Sequence, residues 1–257
     1  MVENKTGSDL RARVGEREWA ARVELAACYR IFDYLGWVEL IYNHITVKVP
    51  GTDNHFLINP YGLVYKEIRA STLVKIDLRG ELVEESEWPV NPAGFVIHSA
   101  IHASRSDVHC VAHTHTTAGM SIACQKDGLR ADNFYSCILR SRVAYHDFEG
   151  ITVNPGEKER LVASLGDKNH IILRNHGLLT CGPTVAATFH AMWLLQRACE
   201  IQLATDQSGI ASQPISEEVA TESAERLKVM AMGKKSGELE FAAMVREIER
   251  IDPTYKT

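Results

Sequence analysis

The sequence predicts a layered α/β domain, and two apolar runs among helical segments support this prediction. Residues Val108 to His115 read as a buried strand that leads directly into a helix start at Thr116 and Thr117. The run from Ile171 to Leu173 has the length of a short buried strand and also lies between helical segments. Strands interleaved with helices favour a layered α/β domain over a helical bundle or a β-sandwich.

The first half of the chain is predicted to combine one long helix with several short strands. Residues 1–14 are polar, and we expect them to be frayed at the chain end. Helical spacing of apolar residues begins near Glu16 and stops at Gly36. Three β segments and a second helix are predicted at residues 44–49, 56–58, 73–77 and 93–104.

The second half of the chain repeats this mixed pattern and adds a charged tail. Strand-like and helical segments alternate, at residues 142–146, 156–165, 171–173 and 184–206. The segment 213–250 has a charged, helical pattern, and we expect it to pack on the body of the protein or on a neighbouring subunit. The chain therefore divides into a polar segment 1–17, a domain 18–207 and a helical C-terminal extension 208–257.

The composition excludes several classes of function. The 257 residues are 45% hydrophobic and 24% charged, which is typical of soluble globular proteins. The formal net charge of -5 lacks the basic field of a nucleic-acid-binding protein. No apolar run approaches the roughly 18 residues of a membrane span, and the N-terminus lacks the apolar core of a signal peptide. None of the six cysteines forms a CxxC pair, so we expect reduced thiols. Together these features predict a cytoplasmic protein that binds neither nucleic acid nor a membrane.

The sharpest motif is a pair of histidines at the end of the strand Val108–His115. His113 and His115 are two residues apart, so their side chains project from the same face of the strand. Both imidazoles can therefore reach one metal ion at about 2.0–2.1 Å. The end of a strand just before a helix is a common position for active sites in α/β proteins. A hydrogen-bonded pair with no metal is the alternative interpretation.

A third histidine, His176, strengthens the metal interpretation. It follows the strand Ile171–Leu173 and precedes Gly177, so it also lies at a strand end. Three histidines that leave one coordination position open are typical of catalytic zinc sites. The alternative interpretation is that His176 only closes a glycine-containing turn. The cofactor predicted here is Zn²⁺ or another divalent metal such as Mn²⁺, Co²⁺ or Fe²⁺.

His98 and His102 form a second pair, four residues apart on the helix 93–104. This spacing places both side chains on one helical face. The pair lacks the acidic residue of the zincin motif. For His102 we expect a buried, hydrogen-bonded role or a role in support of the metal ligands.

Several ordered motifs together resemble the class II aldolase/adducin family, and in particular its bacterial adducin-like branch. The matching segments are Asn91–His98, Arg105–Val108, His113–His115, Ala144–Asp147 and Arg174–Gly177. The resemblance covers roughly residues 18 to 207. It implies a single three-layer α/β/α domain with a central, mostly antiparallel sheet. It also implies the zinc-ligand role for His113, His115 and His176, and a homo-oligomer, most often a tetramer, with sites at the subunit interfaces.

The chain departs from the family aldolases where those enzymes bind phosphate and move a proton. Their acid/base glutamate corresponds to Gly94, and their phosphate-binding serines correspond to Pro92 and Ala93. A Gly-Asn pair of their second phosphate loop corresponds to Asn43-His44. We therefore expect a small substrate without phosphate. The predicted substrate-binding residues are Asn43, His44, Asn59, Gly62 and Gly94.

Two residues are candidates for the proton transfer that Gly94 cannot perform. His98 lies one helical turn after Gly94 on the same face, and an ordinary imidazole pKa near 6.5 suits acid/base work. Tyr135 lies near the position at which family aldolases supply a tyrosine across the subunit interface, although a shift of one residue would place Phe134 there.

The predicted function is that of a divalent-metal-dependent lyase. The substrate would be a small hydroxy-carbonyl or hydroxy-acid compound, cleaved by aldol cleavage or decarboxylation through a metal-stabilised enolate. The main alternative is a catalytically silent, adducin-like scaffold, and other metal chemistry such as epimerisation or dehydration is a further alternative.

Overall fold

Seven strands and eight helices make up the regular structure of the computed structural model, which describes residues 7–150, 156–231 and 235–257. The strands are β1 (His44–Lys48), β2 (His55–Ile58), β3 (Val74–Asp77), β4 (Cys110–Thr114), β5 (Val143–His146), β6 (His170–Leu173) and β7 (Gly177–Gly182). The helices are α1 (Gly7–Tyr34), α2 (Pro92–Ser104), α3 (Thr117–Cys124), α4 (Phe134–Ile138), α5 (Glu157–Leu165), α6 (Val185–Gln207), α7 (Glu217–Ala231) and α8 (Glu238–Ile251).

The strands form one sheet in the order β3-β2-β1-β4-β7-β6-β5. Among the strand pairs of the described residues, β5 and β6 run parallel and all other neighbours run antiparallel. The predicted mostly antiparallel sheet is therefore confirmed. The central strands β1, β4 and β7 carry or flank the predicted histidine site.

Helices cover both faces of the sheet, which confirms the predicted three layers. On β4, Cys110 and Ala112 pack in the core cluster with α1 and α6, whereas Val111 packs with α2 and α5 on the opposite face. This alternation follows from the two-residue period of a strand. His113 has the same parity as Val111, so its imidazole lies on the α2 side of the sheet.

The structure corrects the sequence prediction at three places. The strand β7 and the short helix α4 were not predicted, and residues 7–14 are helical rather than frayed. Helix α1 is kinked at Gly15, where φ is +79°. The segment before the kink is ordered because Leu10 is buried in a cluster with Trp19 and Ala70. Residues 1–6 of the predicted frayed segment lie outside the described residues.

The C-terminal segment packs on the body of the same chain. Phe241 and Ile248 of α8 belong to the main core cluster with residues of α1 and α6. A final 3-10 turn places the carbonyl of Tyr255 2.8 Å from the amide of Ala70, which donates to it. The boundaries predicted for a separate extension, 208–257, stay a prediction. Within the described residues, no helix has both the length and the apolar character that crossing a bilayer requires.

We expect the buried imidazole of His170 to make the stability of the fold depend on pH. Neither ring nitrogen has a hydrogen-bond partner among the described residues, and burial, with a smaller effect of Arg142 and His190, lowers its pKa to about 4. In the unfolded chain the pKa is about 6.5, so the unfolded state holds more protons between these values. The free energy of unfolding should therefore fall as the pH drops from about 6.5 to 4.

The variant His170→Gln should reduce this loss by on the order of 2 kcal/mol at about pH 4.5, as measured by urea unfolding at acidic and neutral pH. His176 and His102 also have lowered pKa values, so part of the slope remains. An unchanged slope in the variant would contradict the assignment to His170.

Candidate metal centre

The three predicted histidines meet at one end of the sheet. His113 lies in β4, His115 follows the last residue of that strand, and His176 precedes the first residue of β7. The Nε2 atom of His113 is 2.7 Å from Nε2 of His115 and 3.3 Å from Nε2 of His176. One ligand atom from each residue lies within 4.8 Å of the others, so the three imidazoles can surround a single ion.

The antiparallel pairing of β4 with β7 produces this arrangement. A Cβ atom at Gly177 would lie 2.3 Å from the carbonyl oxygen of Thr114, so only glycine permits the strands to pair up to their ends. The turn before β7 contains Asn175 with φ of +57°, a left-handed conformation that asparagine tolerates. Together these two positions direct His176 back toward the end of β4.

Hydrogen bonds fix the imidazole of His113 and the backbone of His115. The Nδ1 of His113 lies 2.8 Å from the carbonyl oxygen of Leu178, which can only accept, so Nδ1 carries the proton and Nε2 is free to bind a metal. The backbone amide of His115 donates to Oδ1 of Asn43 at 3.1 Å. Asn43 in turn donates from Nδ2 to the carbonyl of Trp37 at 3.3 Å. Asn43 thus holds the end of β4 in place.

The electrostatic environment keeps these imidazoles neutral, which is the form that binds metal. Burial, followed by the neighbouring imidazoles, holds the pKa of His113 well below its usual range. Burial also lowers the pKa of His115, and it lowers that of His176 to about 4. Three neutral ring nitrogens that converge on one point fit a divalent transition metal such as Zn²⁺.

The imidazoles open onto a cavity of about 580 Å³, which is large enough for a small organic molecule. The rest of its lining combines polar and apolar residues: Glu39, Tyr42, His44, Tyr61, Asn91, Gly94, Ile97, Met120, Phe148, Gly150 and Asn175.

His44 occupies the space beside Gly94. A Cβ atom at position 94 would lie 2.4 Å from Cδ2 and 2.5 Å from Nε2 of His44, so no side chain fits there while this ring is in place. The ring is held by a 3.0 Å hydrogen bond between its Nδ1 and Nε2 of His98. An imidazole that faces the cavity therefore takes the place at which the family glutamate would begin.

His98 lies behind His44 and not in the cavity. It is fully buried, and its two ring nitrogens bond to His44 and to the hydroxyl of Thr46. His98 therefore has no direct contact with a molecule in the cavity, and a proton moving between the two would have to pass through His44. The catalytic role predicted for His98 stays a prediction, and His44 is the imidazole with access to the cavity.

The other predicted residues lie outside the cavity lining of this chain. Asn59 is buried and accepts a 2.9 Å hydrogen bond from the hydroxyl of Tyr29 through its Oδ1. Gly62 has φ of +119°, and a Cβ atom added there would lie 3.5 Å from the ring of Trp88. Tyr135 is half-buried on α4 and packs against the main core cluster. Their predicted roles in substrate binding and catalysis remain untested by this arrangement.

Besides much of the cavity lining, the sequence analysis missed two groups that hold the imidazoles of the site in place. Thr46 shares one strand face with His44, so the two-residue period of β1 was a usable signal. Leu178 contributes a backbone carbonyl, which the identity of its side chain does not reveal. The pairing of β4 with β7 is what places this carbonyl beside the ring of His113.

Comparison with known proteins identifies the family. The model of the Class II Aldolase and Adducin N-terminal domain matches residues 23–203. An aldolase II superfamily protein from Pseudomonas syringae has a crystal structure that is similar with a TM-score of 0.92 and 45% identity, over 98% of this chain and 100% of that one. An L-fuculose 1-phosphate aldolase from Glaciozyma antarctica gives a TM-score of 0.82 and 27% identity, over 96% and 99% of the two chains.

The adducins form the other group of relatives. Alpha-adducin from Rattus norvegicus is 44% identical over 207 residues. The match covers 79% of this chain but 28% of that protein, so the similarity concerns one part of alpha-adducin.

We expect positions 44 and 94 to be energetically coupled. Gly94→Glu alone should lower the free energy of unfolding by about 1–3 kcal/mol, because the new Cβ overlaps the ring of His44. Adding His44→Asn, the residue that the aldolase pattern implies, removes the ring and should restore most of this loss. Urea unfolding of the two single variants and the double variant measures the coupling.

Ala103→Glu provides a matched control, since it places the same side chain at an exposed position of the same helix. It should leave the stability nearly unchanged. If the effects of the two substitutions at positions 94 and 44 simply add, the proposed overlap is wrong.

Proposed function

The chain belongs to the class II aldolase and adducin family, and on that premise we propose that it is a divalent-metal-dependent carbon–carbon lyase. The observation that supports this proposal most strongly is the convergence of His113, His115 and His176 at the wall of a cavity. Three nitrogen ligands leave a coordination position for the substrate, as in catalytic zinc sites.

The three histidines would hold the metal, with Zn²⁺ as the first candidate and Mn²⁺, Co²⁺ or Fe²⁺ as alternatives. When bound, such an ion supplies Lewis-acid polarisation of a carbonyl and stabilisation of negative charge on oxygen. The chain contributes to this by orienting His113 through Leu178 and by keeping all three imidazoles neutral.

The residues that line the cavity favour a small hydroxy-carbonyl or hydroxy-acid substrate without phosphate. In the part of the chain that the structure describes, no lysine or arginine lines the cavity, and Glu39 is the charged residue of its lining. Ile97, Met120 and Phe148 give it an apolar wall. A phosphate group would find no cationic side chain among these residues, whereas a neutral carbon chain finds apolar contacts.

His44 is the group that we assign to proton transfer. His44 lines the cavity, and its Nε2, the ring nitrogen that is not bonded to His98, would accept the proton of a substrate hydroxyl, so the O–H bond breaks and an N–H bond forms. The electron pair left on the oxygen then forms a carbonyl bond, and the carbon–carbon bond breaks. The electrons of the broken carbon–carbon bond form the enolate of the second fragment. His44 can return the proton to the enolate carbon. Decarboxylation, the other predicted reaction, forms an enolate without this first step.

An adducin-like scaffold is the second candidate, and the 44% identity to alpha-adducin favours it. The three neutral imidazoles at a cavity favour the enzyme, because a scaffold has no use for an aligned set of metal ligands. We also propose a homo-oligomer, with a tetramer as the first expectation. In such an assembly Tyr135, or the 71% exposed Phe134 beside it, would contribute to the site of a neighbouring subunit.

The three proposed ligands make the metal content of the protein a direct test. The purified protein, reconstituted with Zn²⁺ and desalted, should hold close to one equivalent per chain by elemental analysis. His113→Ala and His176→Ala should each weaken Zn²⁺ binding by more than about 100-fold. The loss of a residue that only hydrogen-bonds to a metal ligand already lowers metal affinity by about 10–100-fold. His109→Ala, a half-buried histidine outside the cavity, is the matched control. Retention of zinc in both ligand variants would eliminate the metal centre.

The role proposed for His44 can be tested by proton exchange. Deuterium exchange from D₂O into hydroxyacetone, followed by proton NMR, measures proton transfer next to a carbonyl without knowledge of the natural substrate. His44→Gln should slow the exchange by about 10²–10⁴-fold and leave the zinc content unchanged. His55→Gln, on β2, is the control. Exchange at the unaltered rate in His44→Gln would exclude His44 from the proton transfer. No exchange by the zinc-loaded parent protein would favour the scaffold over the enzyme.

A further inference from the structure

A groove of about 700 Å³, called here the α1–α8 groove, lies between these two helices at the opposite end of β4 from the metal centre. Its lining includes His109, which precedes the first residue of β4, whereas His115 follows the last one. A strand rises about 3.3 Å per residue, so about 20 Å separates these two histidines along β4. Among the described residues, the groove and the metal-site cavity share no lining residue. The groove is therefore a separate feature of the molecule.

Small side chains on α1 keep the groove open. Ala20, Ala21 and Ala27 line it from α1, and α8 lines it with Phe241 and Val245, which are one helical turn apart. The alanine side chains do not reach across to α8, so space remains between two helices that elsewhere pack in the main core cluster. The volume of the groove is in the range of sites that hold a small organic molecule, and its walls are largely apolar.

Three carboxylates line the groove, and two of them have a cationic partner within the protein. Glu16 forms an ion pair with Arg11, with 2.7 Å between nitrogen and oxygen. Glu249 forms an ion pair with Lys256 at 2.5 Å. Glu24 differs from both, because no cation, hydroxyl or amide of the described residues bonds to its carboxylate.

The position of Glu24 makes this lack of a partner costly. The residue is half-buried, one helical turn from both Ala20 and Ala27, and burial raises its pKa. A carboxylate that is partly removed from water without a partner loses hydration that nothing replaces. Arg17, the remaining cation of the lining, is exposed and starts two helical turns, or about 10 Å, before Glu24. A ligand that brings its own cation would supply the missing partner.

We propose that the α1–α8 groove is a second binding site, which takes a primary ammonium group attached to an apolar or aromatic body. The ammonium group donates to the carboxylate of Glu24 in charge-assisted hydrogen bonds. The body of the ligand contacts Trp19, Phe241 and Val245, so its apolar surface leaves water. This ligand class differs from the substrate proposed for the metal-site cavity, and the inference does not depend on the lyase activity.

Isothermal titration of the full-length protein with phenethylammonium chloride tests this site. At about pH 8 the amine is protonated and a carboxylate such as that of Glu24 is ionised. Glu24→Gln keeps the shape of the side chain and should weaken binding by about 10–100-fold, because the charge-assisted bonds are lost. Glu16→Gln is the matched control, since its carboxylate is already bonded to Arg11, and it should change the affinity by less than about 3-fold.

A neutral ligand of the same shape separates the charge from the apolar contacts. 2-Phenylethanol has a hydroxyl in place of the ammonium group, so it should bind the parent protein at least about 10-fold more weakly than the amine. Glu24→Gln should bind this alcohol as well as the parent does. The variant should also be at least as stable as the parent in urea unfolding, because it removes an unpaired, half-buried charge.

Fluorine NMR of protein labelled with 5-fluorotryptophan locates the bound amine. The signal that disappears in Trp19→Phe belongs to Trp19, and this signal should shift as the amine is added. Ala20→Leu places a larger side chain in the groove from an exposed position of α1 and should weaken binding. His113→Ala, which removes a proposed metal ligand, should leave the affinity for the amine unchanged.

Several results would overturn the inference. One is the absence of saturable binding of phenethylammonium by the parent protein up to about 10 mM. Another is equal affinity of the parent and of Glu24→Gln. Loss of binding in His113→Ala would place the amine in the metal-site cavity instead. A changed oligomeric state of Glu24→Gln, with no binding of the amine by the parent, would assign the groove to a second copy of the chain.

Discussion

The candidate metal centre depends on one close approach of backbone, between Gly177 at the start of β7 and Thr114 at the end of β4. A side chain at position 177 would collide with the carbonyl of Thr114, and the collision could not be relieved by moving a side chain. Because glycine removes this obstacle, residues Leu178 to Gly182 of β7 pair with the whole of β4. The pairing orients His113 through the carbonyl of Leu178 and places His176 beside it.

A second constraint explains the departure from the aldolase pattern. The ring of His44 and a side chain at position 94 cannot occupy the same space, so the glycine at position 94 and His44 belong together. An imidazole lines the cavity here, beside the position that the family resemblance assigns to a glutamate. The proposed chemistry differs from that of a phosphate-binding aldolase in its base and in its substrate, but not in the type of metal site.

Local patterns were sufficient to predict six of the seven strands, most helices and the three imidazoles, whereas the mostly antiparallel sheet was predicted from the family resemblance. His113 and His115 follow from the two-residue period of a strand, and His176 follows from its position after an apolar run. The strand β7 escaped prediction because glycines at both of its ends resemble turns. The sequence also did not predict that His44 lies at the cavity and His98 behind it. A helical face shows which residues are neighbours but not which of them reaches the cavity. That order is set by the packing of α2 on β1, which involves residues about fifty positions apart.

The central claim is that three histidines hold a catalytic divalent metal with one position open to the substrate. X-ray absorption at the zinc edge of the loaded protein tests it most directly. We predict three imidazole nitrogens at about 2.0–2.1 Å and one oxygen ligand that changes when a small hydroxy-ketone binds. A sulfur ligand, an all-oxygen shell, or a spectrum that His176→Ala leaves unchanged would contradict the claim.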